Sequence, residues 1–284
     1  MARWGSIGST GDVEDRRGMG STALFAGGGG LVALLITIGL NFLGLSIPQS
    51  TVEQVLNTVS SLNAGSADPS TQPAEFRGED SYEVFTGKVL GSTNDVWDGV
   101  FKKNNLTYQH PKLVLFRGVT QSGCGVATSD VGPHFCPNDG TIYLDETFFD
   151  ELKSRFGANT GEVAQAYVIA HEVGHNVQNQ LGAFGAFGDS GSLSSSRSIE
   201  IELQADCYAG VWAFTQAKNG IFEGNEIDQA ISAASAVGDD NIQSKTSGQV
   251  NPETWTHGSS AERVSAFKVG YQTGEPAKCT NLQN

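Results

Sequence analysis

The 284-residue sequence predicts an α+β domain, mostly helical with a small β-sheet, preceded by one transmembrane helix. Three observations carry this reading. Several long stretches place apolar residues at helical spacing. Two short runs rich in branched and aromatic residues read as strands. One uncharged segment near the N-terminus is long enough to cross a bilayer. With 38% apolar and 17% charged residues, the remainder is ordinary globular material, and 36 glycines point to many loops.

The chain opens with a segment over 1–22 that carries Arg3, Arg16 and Arg17. From Ala23 to Ile47 no residue is charged. As helix this stretch reaches roughly 37 Å, against a hydrocarbon core of roughly 30 Å. Gly27 to Gly30 are weak helix formers, so the ordered span starts near Leu31. A cleavable signal competes with an anchor here, since Gly44-Leu45-Ser46 imitates a small-x-small site. The mixed-charge leader and the long apolar run favour the anchor. Basic residues before the span, and a mostly acidic or neutral flank after it, predict a single-pass protein of the cell membrane with a cytoplasmic N-terminus and an extracytoplasmic domain. The lipid bilayer is therefore an expected partner.

Residues 48–80 follow as a flexible linker, with Ala64-Gly65-Ser66-Ala67-Asp68-Pro69 as its most characteristic stretch. The folded domain is expected over 81–284. It starts with a helix over Tyr82–Lys103, on which Phe85, Val89, Val96, Trp97, Val100 and Phe101 share one face. Lys112–Arg117 and Thr141–Asp145 read as strands, the second after the turn Asn138-Asp139-Gly140. The Tyr143 strand, just ahead of the next long helix, is the expected place for an extended peptide to pair by strand addition. Helices are expected at Thr147–Arg155, Gly161–Leu181, Ser198–Lys218, Asn225–Val237 and Ser260–Thr273, the last with Ser259 or Ser260 as N-cap. The Gly- and Ser-rich stretch Gly182–Arg197 separates two of them as a loop or lid.

A net charge of −14 excludes nucleic acid as a partner, because phosphates need a basic surface. The four cysteines, Cys124, Cys136, Cys207 and Cys279, all follow the apolar span, which suits disulfides in an oxidising compartment. Of the three connectivities, Cys124–Cys136 with Cys207–Cys279 is preferred, because the first pair brackets a glycine-bearing loop. No C-x-x-C pair exists to make a cysteine zinc site.

The chemistry concentrates at His171-Glu172-Val173-Gly174-His175, an H-E-x-x-H run inside a predicted buried helix. Side chains at i and i+4 of a helix lie roughly 40° apart around its axis, so both imidazoles reach one metal ion. Glu172 lies roughly 60° around from His175, too far to be a ligand but near enough to touch a water on the metal. Two neutral nitrogens beside one carboxylate base suit a zinc-activated water. The bland alternative is a satisfied histidine pair on a helix face. Tyr167, Val168, Ile169 and Ala170 weigh against it, because uncompensated polar groups are costly in such surroundings.

A third ligand must come from elsewhere. Leu181 stands where a metzincin has its third histidine, and Met1 and Met19 leave no Met-turn. Glu202 completes a two-His, one-Glu site with a fourth position left for water, and Glu200 is the fallback. Asp206, one turn past Glu202, is placed to accept the free N–H of a ligand histidine. One Zn2+ per chain is the expected cofactor. His110 and His134 read as structural.

These residues carry a resemblance. His171-Glu172-x-x-His175 followed by Glu202-x-x-Ala205-Asp206 resembles the gluzincin pattern. Together with Gly132-Pro133-x-Phe135-Cys136-Pro137, Thr256-His257-Gly258-Ser259-Ser260 and the opening Arg3-Trp4 and Val13-Glu14-Asp15-Arg16-Arg17-Gly18, it looks like the bacterial neutral zinc metallopeptidase family. The resemblance implies a zincin-like domain, a peptide or protein substrate, and hydrolysis with Glu172 as general base. It also implies that His257 and Arg263 lie near the metal and donate to the oxyanion that forms on a peptide carbonyl. Two other classes stay open at this point: an envelope binding module with a structural zinc, and a metal-dependent hydrolase of a non-peptide amide.

Overall fold

Asp80 accepts hydrogen bonds from the backbone N–H groups of Tyr82 and Glu83 and so starts the first long helix, α1 (Ser81–Lys103). In a computed structural model the chain is described over residues 2–18, 74–75, 80–184, 194–223, 225–280 and 282. The α+β character is as expected, with helices predominating over a small sheet.

A five-stranded sheet has the order β2-β1-β3-β7-β6, built from β1 (Val13–Asp15), β2 (Ala74–Glu75), β3 (Lys112–Phe116), β6 (His134–Cys136) and β7 (Thr141–Asp145). The inner strands β1, β3 and β7 run parallel, and β2 and β6 are antiparallel edges. Successive side chains of a strand face opposite ways. Leu113, Leu115, Ile142 and Leu144 thus enter the main core with the helices. Val114, Phe116 and Tyr143 pack on the other face with Ala127 and Cys136, beneath the hairpin of β4 (Val119–Ser122) and β5 (Gly125–Thr128). Burial on both faces explains why β3 and β7 read as nearly continuous apolar runs.

The helices after the sheet are α2 (Phe148–Ser154), α3 (Glu162–Gln180), α4 (Ser195–Lys218), α5 (Ile227–Ala236), α6 (Asp239–Thr246) and α7 (Ser260–Thr273). Close helix crossings fix the centre. A Cβ on Gly174 of α3 would lie 3.1 Å from the Ala205 backbone of α4, so the glycine lets the two helices approach. Between α4 and α7 a Cβ on Gly270 would lie 1.9 Å from the carbonyl oxygen of Cys207, a clash only glycine avoids. Ser259 caps α7 in a reciprocal capping box with Glu262.

Residues 2–18 depart from the separate N-terminal segment expected over 1–22. The indole Nε1 of Trp4 donates to Glu162 (2.9 Å), and the ring packs edge-on against Phe85 (5.2 Å). β1 pairs with β3 in the register Val13 to Leu113. Arg16 pairs with Glu14, and Arg17 is held by Asp15 and Glu146. Of the three arginines expected to mark the cytoplasmic side, Arg16 and Arg17 pair within the domain and Arg3 donates to the Gly220 carbonyl.

The expected span over 23–47 lies outside the described residues, as does most of the linker, although Ala74–Glu75 forms a strand. Among the described residues no helix is long and apolar enough to cross a membrane. A second correction concerns substrate pairing. β7, with Tyr143, is hydrogen-bonded on both sides, so its backbone cannot accept another strand. On that side the sheet's edge is β6, whose outer side pairs with no other strand among the described residues. The centre of the Gly182–Arg197 loop lies outside the described residues, and its end is already the first turn of α4.

Candidate metal centre

α3 places His171 and His175 one turn apart, with ring centroids separated by 4.7 Å. α4 brings Glu202 against them. His171 Nε2 lies 3.2 Å from Glu202 Oε2, and His175 Nε2 lies 3.5 Å from Glu202 Oε1. The ligand atoms of these three residues all lie within 4.8 Å of one another. Glu200, the fallback ligand, is turned out to pair with Arg197.

The far nitrogen of each imidazole is already engaged. His171 Nδ1–H donates to the Asp206 carboxylate (2.8 Å), which accepts only, so the lone pair is left on Nε2. His175 Nδ1 is paired with Gln178 Oε1 (2.9 Å). Both Nε2 atoms therefore turn toward Glu202. Beside them Glu172 is 6% exposed, and its Oε2 is buried without any hydrogen-bond partner. Two imidazole nitrogens, one carboxylate and an unpartnered acid at the same spot fit zinc with a position left for a fourth ligand.

Asp206 is the hub of the surrounding network. Fully buried, it accepts from His171, from the Tyr167 hydroxyl, and from Arg263 through Nε (2.7 Å) and Nη2 (3.0 Å). Burial alone would raise its pKa, but the Arg263 guanidinium and His171 outweigh that and hold it below the usual carboxylate range. Glu202 follows the same pattern, with burial opposed by His175, His171 and Arg263, and is also held low. Arg263, expected to donate to a substrate oxygen, donates here to Asp206 and to the Val237 carbonyl and lies 3.7 Å from Glu202, so it is the buried counter-ion of the site.

His257 stands on the opposite wall with 48% of its side chain exposed. Its Nδ1 pairs with Asp239 (3.2 Å), and the same carboxylate accepts from the backbone N–H groups of Thr256 (2.8 Å), His257 (2.7 Å) and Gly258 (3.0 Å). That hydrogen bond to Asp239 raises the His257 pKa, against the effect of burial. Asp239, Tyr167 and Gln178 were not singled out by the sequence. Gln178 was within reach of a helical-wheel argument, three residues past His175. Asp239 had only its place at the head of α6 to recommend it. His134 stacks on Tyr143 and His110 pairs with Asp98, both away from the donor cluster.

These groups open into a cleft of about 650 Å³. One rim is the edge strand β6 with Gly132 and Pro133 before it. Val131, Phe148, Phe156, Val237 and Ile242 make apolar wall. Two disulfides brace it: Cys124–Cys136 ties β6 to the hairpin, and Cys207–Cys279 ties the C-terminal tail to α4. No cysteine is free.

An α+β domain in which an H-E-x-x-H helix and a second helix converge three donors on one point defines a class of metal-site proteins. The chain belongs to the family described as "Putative neutral zinc metallopeptidase", whose model matches residues 2–282. It is 38% identical to "Uncharacterized protein YpfJ" of Escherichia coli (strain K12), over 99% of this chain and 98% of that one. It is 44% identical to "Uncharacterized protein Rv2575" of Mycobacterium tuberculosis (strain ATCC 25618 / H37Rv), over 71% of this chain and 72% of the relative. No solved structure matches the chain.

Proposed function

We propose that this chain is a zinc-dependent peptidase that hydrolyses extended polypeptide in the cleft. The observation that carries the reading is the unpartnered, buried Glu172 carboxylate oxygen beside the converging His171, His175 and Glu202 donors. A zinc ion held by those three residues would polarise a water and the peptide carbonyl. Glu172 takes the water's proton on its unpartnered oxygen and later returns it to the leaving amine. Asp239 accepts the Nδ1–H of His257 and raises its pKa, so the protonated ring donates Nε2–H to the carbonyl oxygen as negative charge grows there. A donor of that kind is worth about 3 kcal/mol of barrier.

The free edge of β6 supports an extended substrate, which would add to it as a strand. The apolar wall favours bulky apolar side chains near the scissile bond. A structural zinc is disfavoured, because such sites close their fourth position with Cys or His, and all four cysteines are in disulfides. Hydrolysis of a non-peptide amide lacks any feature that favours it over peptide. Membrane attachment through the apolar stretch 23–47 belongs to this proposal.

The test is incubation of the purified protein with unfolded polypeptides and with envelope extract, and identification of the products by mass spectrometry. New peptide termini that disappear with a chelator and return with zinc are expected. Intact polypeptides together with newly cleaved non-peptide amides would overturn the substrate class.

A further inference from the structure

Gln178 is wholly buried, three residues past His175 on α3, and takes no part in the chemistry proposed above. Its surroundings fix which way round its amide sits. The far end of the chain of contacts is the backbone carbonyl of Cys279, which can only accept. Gln204 must therefore turn its NH2 group to it, and does so at 2.9 Å. That leaves Gln204 Oε1 facing Gln178. Gln178 donates one N–H to it (3.0 Å) and the other to the carbonyl of Ile201 (2.8 Å), the residue before Glu202. With both its hydrogens spent, Gln178 can offer only Oε1 to His175 Nδ1, at 2.9 Å. His175 must then carry its proton on Nδ1 and its lone pair on Nε2.

We infer that Gln178 is a positioning residue of the metal centre: with Gln204 and the Cys279 carbonyl it forms an amide relay that locks His175 in its metal-binding tautomer. The inference rests on the reading of His171, His175 and Glu202 as zinc ligands. It also gives the Cys207–Cys279 disulfide a role at the site, because that bond holds the accepting end of the relay against α4. The two imidazoles are thus set by unlike means, His171 by an ionised carboxylate and His175 by a neutral amide.

The alternative is that Gln178 only bridges two packed helices. The two roles separate in Gln178→Glu, which keeps an acceptor for His175 but loses both donated hydrogen bonds, and Gln178→Leu, which loses everything. Zinc affinity would be measured on the full chain by competition with a chromophoric chelator, beside urea unfolding of the zinc-free forms. Gln178→Leu should bind zinc about 10- to 100-fold more weakly, in line with other losses of a ligand's outer partner. Gln178→Glu should stay near wild type in zinc affinity, even where its unfolding is easier. Gln204→Leu should fall between Gln178→Leu and wild type. In zinc-loaded wild type the Nδ1 proton of His175 should be visible by nitrogen-edited NMR, and it should be lost to exchange in Gln178→Leu.

Gln178→Leu within about twofold of wild type, or Gln178→Glu as weak as Gln178→Leu, overturns the relay. Should Gln178→Leu fail to fold, Gln178→Glu and Gln204→Leu still decide the matter. A wild-type chain that binds no zinc would instead remove the metal-site reading, which is a different result from zinc binding that ignores Gln178.

Discussion

On the helix side of the cleft His171 and Glu172 are each 6% exposed and Asp206 is fully buried, whereas on the loop side His257 keeps 48% of its side chain accessible. On the helix side His171, Glu202, Asp206 and Arg263 partner one another across α3, α4 and α7, and a Glu172 oxygen is left open beside them. Burying those charges is tolerable only while the network is complete. The loop side hangs on one carboxylate, Asp239, that gathers three backbone N–H groups and one imidazole. Under the proposed function this contrast divides the labour: the residues that would hold zinc are fixed when the chain folds, and the residue that would meet the substrate oxygen stays where solvent reaches it. Substitutions on the helix side should therefore cost stability and metal together, and replacing His257 on the loop side should cost mainly turnover.

The largest expected effect comes from cutting the helix-side network. Arg263→Leu leaves Asp206 buried without its main counter-charge and should cost about 3–5 kcal/mol of unfolding free energy, read by urea titration of the zinc-free protein. A loss smaller than about 1 kcal/mol would mean that the network is less closed than its geometry implies.

His257→Phe probes the other side. Turnover should fall by about 10²- to 10³-fold with zinc content and melting temperature little changed. If zinc is lost as well, the two sides are not separate.

The smallest effect sharpens the comparison through pH. Asp239 has a folded pKa below its usual 3.8, so its contribution is present above that value and is lost as pH falls through the folded one. His257 has a folded pKa above its usual 6.5, so its contribution is present below that value and is lost as pH rises through the folded one. The melting temperature of wild type should exceed that of Asp239→Asn most clearly near about pH 5, and the gap should narrow on both sides. A gap that does not change with pH would show that Asp239 acts through its backbone hydrogen bonds alone.

Local pattern carried some of this structure into the sequence and distance hid the rest. His171, Glu172 and His175 are legible because one helix places all three, and the strand Thr141–Asp145 and helix Ser260–Thr273 occur with the expected bounds. The arm shows no strand in the sequence because β1 is only three residues long and its partner strand lies a hundred residues on. Helix α6 was missed because Asp239 to Thr246 has no apolar stripe, Ile242 being its only apolar member. Arg263 could be placed near the site by resemblance, but only folding decides that its guanidinium meets Asp206 from another helix. The edge strand β6 is likewise too short to show in a pattern, and it covers the outer side of the Tyr143 strand.

The most direct measurement compares zinc content and peptide hydrolysis in wild type, Glu172→Gln and Glu202→Gln, purified side by side. Glu172→Gln is expected to hold one zinc per chain and to lose almost all hydrolysis, while Glu202→Gln loses the metal and the activity together. Hydrolysis by Glu172→Gln at the wild-type rate, or full zinc retention by Glu202→Gln, would contradict the account.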